Sequence, residues 1–108
     1  QLIGSGTGAY DLAYLVTQSL AADDASRLER DLFARWIDGL RAAGVARDAV
    51  DERALWRHYR TAALFCLAYP IVASRGMDLA DPRQRALVGN MNSRFDRAVT
   101  ELSLADLL

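Results

Sequence analysis

The chain contains no lysine, one cysteine, one histidine and two prolines, and its charges nearly cancel. Thirteen basic against fourteen acidic residues leave a net charge of −1, which argues against a dedicated nucleic-acid binder. One cysteine, Cys66, excludes a disulfide framework or a cysteine metal centre within one chain. The only histidine, His58, lies eight residues before it, about 12 Å along a helix, too far for a thiol–imidazole pair. Cys66 therefore reads as a small core residue. Long apolar runs are also missing. The longest, Ala62 to Ala73, contains Pro70 and falls short of the ~20 residues that span a bilayer. No signal peptide is visible, so the expectation is a soluble, cytoplasmic protein without membrane contact. Every basic residue is arginine. The arginines are spread along the chain among aspartates, which fits solvated helix faces and coding bias better than a dedicated anion-binding surface.

What is present is apolar and helical. The 108 residues are 52% hydrophobic, enough for one folded domain with a core and too much for disorder. The 3.6-residue spacing predicts an all-α domain over 1–108 with about four main helices, and no segment alternates like a strand. The first helix is expected from Ala9 to Leu20. The second, Ala25 to Ala43, carries the stripe Leu28, Leu32, Phe33, Trp36, Ile37 and Leu40, with Asp23 or Asp24 as cap and Gly44 closing it. The third is expected from Glu52 to Tyr69, capped by Asp51 and kinked or ended by Pro70. The fourth opens on Asp81-Pro82 and buries Leu87, Met91, Phe95, Ala98, Val99 and Leu102. Ser103 to Leu108 is expected to pack as a last turn.

The candidate chemistry is concentrated near the start. Gly4, Gly6 and Gly8 form a glycine-rich loop that runs into Asp11-Leu12-Ala13 and an apolar helix. The spacing is neither G-x-G-x-x-G nor a loop ending in G-K-[ST], so it reads as a tight turn and not as a phosphate cradle. Asp11 alone is a carboxylate near a helix start, where it accepts backbone N–H bonds and meets the positive helix end. Further on, Trp56 and Tyr59 are candidate walls of a substrate pocket, because aromatic rings with a polar tip suit partly open clefts; plain core packing is the competing reading. His58, set among arginines, reads as a solvated surface residue.

Gln1, the glycine loop and Asp11-Leu12-Ala13 resemble the segment that follows the metal-binding aspartate of aminoglycoside-phosphotransferase-like kinases. That superfamily includes choline-kinase-like and ecdysteroid-kinase-like enzymes. The resemblance covers about the first sixteen residues, and the remainder agrees in helical organisation. It implies the helical C-terminal subdomain of a protein-kinase-like fold, belonging to an ATP-dependent small-molecule kinase. Asp11, with Gly6 and Gly8, would then hold the backbone of the catalytic loop without touching substrate. The resemblance places the catalytic base, the metal-binding aspartate and the nucleotide lobe before Gln1. This chain would hold no catalytic residue, no metal and no cofactor of its own. ATP, Mg and a small-molecule hydroxyl acceptor would belong to the longer parent, and the partner would be the N-terminal part of the same protein. The alternative is a stand-alone helical bundle that binds a partner through an apolar groove.

Overall fold

The structure is a computed structural model that describes residues 8–108. Those residues are all-helical, with no strand among them. Helix α1 spans Gly8–Tyr14 and widens into a π turn over Leu15–Ser19. Helices α2 (Ala22–Ala42), α3 (Glu52–Cys66), α4 (Ala68–Ser74) and α5 (Pro82–Glu101) follow, and a 3-10 turn over Leu104–Leu107 closes the chain. Helix α1 packs on α3, while α2 and α5 pack on each other and on the π turn.

The termini of these helices follow local chemistry. The Asp51 carboxylate accepts the Arg53 and Ala54 backbone N–H groups, and Asp81 accepts that of Arg83 ahead of Pro82. These bonds satisfy donors that a helix start leaves open. Helix α2 ends in a Schellman motif: Val45 N–H bonds Leu40 C=O and Gly44 N–H bonds Arg41 C=O. The motif needs a left-handed residue, and Gly44 has φ +82°. At its other end, α2 starts earlier than expected. Ala21 takes the capping position with no side-chain bond, and Asp23 and Asp24 fall inside the first turn.

Two expected helices are interrupted. The first was expected to run unbroken to Leu20; instead it widens after Tyr14, where buried Thr17 bonds the Ala13 carbonyl through its hydroxyl. The third was expected to reach Tyr69; it breaks at Leu67, three residues before Pro70. Proline has no N–H to offer the carbonyl four residues back, which is that of Cys66. Gln18 fills the gap, its side-chain amide donating to Cys66 C=O at 3.2 Å. The π turn and the proline break are thus joined by one side chain.

The core gathers Ala9 and Ala13 of α1, Phe33 and Ile37 of α2, Tyr59, Ala62, Ala63 and Cys66 of α3, and Ala98 of α5, with Leu102 and Leu104 beyond it. The buried stripe of α2 is Ala25, Glu29, Phe33 and Ile37, so a charged residue occupies a core position and Leu28 lies outside. In α5 only the C-terminal half is buried, and Leu87 is exposed.

Candidate functional site

Helix α1 is held by small residues. Ala9, Ala13 and Val16 have no exposed surface, and the alanines let α1 lie close on α3. Gly8 has a local reason as well: a Cβ there would stand 3.3 Å from Trp36 Nε1. The expected support residue Gly6 lies outside the described residues. Asp11 sits in the first turn of α1, three residues after its start, on the side away from the core. Its carboxylate is exposed and makes no hydrogen bond or ion pair with the described residues. Tyr14 and Leu15, also exposed, flank it.

Tyr10 and Tyr14 of α1 border an apolar surface contributed by α3 and α4. Tyr10 and Tyr69 share a hydroxyl–hydroxyl bond of 2.8 Å, and Tyr14 meets Tyr69 edge-on at 5.2 Å. The bond to Tyr69, helped by burial, pushes Tyr10 up to about 12. Tyr10, Tyr69, Phe65, Ala68 and Val72 line a cleft of about 410 Å³. Phe65, Ile71 and Val72 are largely exposed. The sequence pattern hinted at this surface only through the all-round apolar stretch 62–73. The pairing of Tyr10 with Tyr69 crosses 59 residues and has no local signal.

The two aromatic candidates separate. Tyr59 has no exposed surface, stacks on Trp56 and donates its hydroxyl to Glu29 Oε1 at 2.6 Å. Burial, then the Glu29 charge, raise its pKa well above the usual phenol value. Arg97 grips the same carboxylate at 2.9 and 3.2 Å. Burial alone would lower the Arg97 pKa, but the bonds to Glu29 outweigh it and raise the group overall. Glu29 and Arg97 are both buried, so the triad ties α2, α3 and α5 through one charge pair. Trp56 is half-buried. Phe33 meets it edge-on, the Arg30 guanidinium lies 3.6 Å above its ring, and its remaining edge lines a groove with Arg53, Arg57, His58 and Arg60.

Among the described residues no three His, Cys, Asp or Glu side chains are grouped to hold a metal. Cys66 is buried, and burial pushes its thiol up, away from the thiolate that nucleophilic chemistry needs. The described residues thus offer surfaces for contact, with no assembled set of acid, base and nucleophile. Comparison of the chain with protein-family models, with curated proteins and with solved structures finds no match.

Proposed function

We propose that this chain is the helical C-terminal portion of an ATP-dependent small-molecule phosphotransferase of the aminoglycoside-phosphotransferase-like group, inactive alone. One observation supports the reading most. Helix α1, which follows the glycine loop, is packed on one side and leaves Asp11 exposed on the other, with exposed Tyr14 and Leu15 one turn on and Tyr14 edge-on to Tyr69 of α4. Contiguous exposed apolar residues mark surfaces that another segment covers. A carboxylate in that setting accepts backbone N–H bonds from whatever covers it, and such charge-assisted bonds are strong away from water. Phosphoryl transfer depends on positioning a base and metal ligands around the phosphates. On this reading Asp11 fixes the loop that carries them, and ATP, Mg and the hydroxyl acceptor bind in the rest of the parent protein.

The same apolar cleft, between Tyr10, Phe65 and Val72, also favours a second reading, a stand-alone helical module that docks a partner. One experiment separates the two. The coding sequence upstream of Gln1 is determined, and the longer protein is assayed with Mg-ATP and a panel of alcohols and amino sugars. The phosphotransferase reading predicts an Asp-Trp pair just before Gln1, a His-x-Asp loop further upstream, and acceptor-dependent ADP release from the longer protein only. Absence of those motifs, or turnover by the 108 residues alone, contradicts it.

A further inference from the structure

The groove beside Trp56 is built differently from the apolar cleft, and it stands independently of the phosphotransferase reading. It encloses about 710 Å³ and is lined by Asp51, Arg53, Ala54, Trp56, Arg57, His58 and Arg60 of α3 with its cap, and by Asp106 and Leu107 of the C-terminal turn. That volume lies within the ~300–1,000 Å³ of small-molecule clefts. Arg53, Arg57 and Arg60 follow one another at i, i+4 and i+7, so α3 presents them on one side.

Their states differ in a useful way. Arg60 is fixed: it donates through Nε to Leu102 C=O at 2.7 Å and through Nη2 to Ser103 C=O at 2.6 Å. Ser103 is left-handed, at φ 48°, and Arg60 thereby pins the turn that carries Asp106 and Leu107. The two walls of the groove are therefore tied together by one of its own cations. Arg53 and Arg57 are exposed and, like most arginines of the chain, make no ion pair among the described residues. Two carboxylates share the groove with these cations. Asp51 already accepts two backbone N–H bonds, and Asp106 stands alone on the far wall. Guanidinium forks without a carboxylate partner suit a dianionic oxyanion, which takes two parallel N–H bonds from each fork.

We propose that this groove binds a small phosphate monoester, its phosphate held by Arg53 and Arg57 and its apolar body seated against Ala54, the Trp56 edge and Leu107.

The test is a titration of the 108-residue chain with phenyl phosphate, following the arginine Nε–Hε NMR signals. Inorganic phosphate and acetate at matched ionic strength serve as comparators. The expected result is saturable shifts at Arg53 and Arg57, with tighter binding of phenyl phosphate than of inorganic phosphate and none of acetate. The R53Q/R57Q double variant should weaken binding at least about tenfold, roughly one charge-assisted contact. Asp106→Asn should tighten it, a gain that no merely structural role provides. R35Q, on α2 and not in the groove lining, should leave it unchanged. Linear, non-saturating shifts, equal response to acetate, or equal affinity in R53Q/R57Q with its helical spectrum intact would overturn the proposal. Equal affinity for inorganic phosphate would overturn the assignment to an ester.

Discussion

Along the side of α3 that carries Tyr59, Ala63 and Cys66 the packing is closed, and no buried side-chain polar atom among the described residues lacks a partner. Along the side that carries Phe65, and onward through Ile71 and Val72, apolar surface stands open beside a tyrosine pair. Both sides include part of α3, yet they differ in what completes them. The closed side is completed by this chain, through a carboxylate of α2 and a guanidinium of α5 that meet across 68 residues. The open side has apolar rings and the composition of a contact surface. The difference separates what holds the bundle together from what it offers to something else.

The sharpest way to break the closed side is to remove Glu29. Glu29→Ala leaves the Tyr59 hydroxyl without its acceptor and the buried Arg97 charge with only the longer 3.4 Å contact to Glu101, and is expected to cost about 3–5 kcal/mol in a urea titration. Replacing both charges, with Leu at 29 and Met at 97, together with Tyr59→Phe to remove the hydroxyl that bonded Glu29, should recover most of that loss, because a buried pair is near neutral against apolar residues of similar volume. A loss below about 1 kcal/mol for Glu29→Ala would mean that the pair does not close this seam. Next comes Ile37→Ala, which empties a fully buried position and should cost about 2–5 kcal/mol in the same titration.

Alkaline pH probes both sides with a smaller effect. The folded chain keeps protons on Tyr10, up to about 12, and on Tyr59, at a pH where the unfolded chain has released them near 10. Both groups are raised in the folded state, so their contribution is complete below about pH 10 and is lost as pH rises toward and beyond about 12. Melting temperature should fall across that window, and Tyr10→Phe should flatten the part that belongs to Tyr10. The smallest effect is expected on the open side. Val72→Ser should change stability by no more than about 0.5 kcal/mol, since the residue is mostly exposed. A large loss there would show that the open face is part of the chain's own core.

The contrast also explains what could be read in the sequence. The Asp51 and Asp81-Pro82 starts and the Gly44 stop were legible because each is decided within a few residues. Glu29 was not, since its burial depends on an arginine on another helix. The break at Leu67 was displaced from Pro70 because the missing N–H is felt four residues earlier, and Gln18 of a distant segment stabilises the result. Leu28 and Leu87 belong to apolar patterns but face outward, since periodicity defines a stripe more broadly than the neighbouring helices cover it. Of the site, Asp11 and Trp56 stood out as residue types in context. The tyrosine pair and the arginine groove did not, because each is assembled from segments remote in sequence.

Asp11 carries the central proposal, and one substitution tests it most directly. Asp11 is exposed and bonded to nothing in the described bundle, so Asp11→Asn should leave the melting temperature of the 108-residue chain unchanged. In the longer phosphotransferase that the proposal requires, the asparagine would keep an acceptor oxygen but lose the charge that strengthens bonds to a covering loop. A bond of that kind contributes ~1.5–3 kcal/mol, so kcat should fall about tenfold to a hundredfold with the KM for ATP little changed. A normal kcat accompanied by a lowered melting temperature would contradict the account, and would leave Asp11 as a carboxylate that merely stabilises the first turn of its own helix.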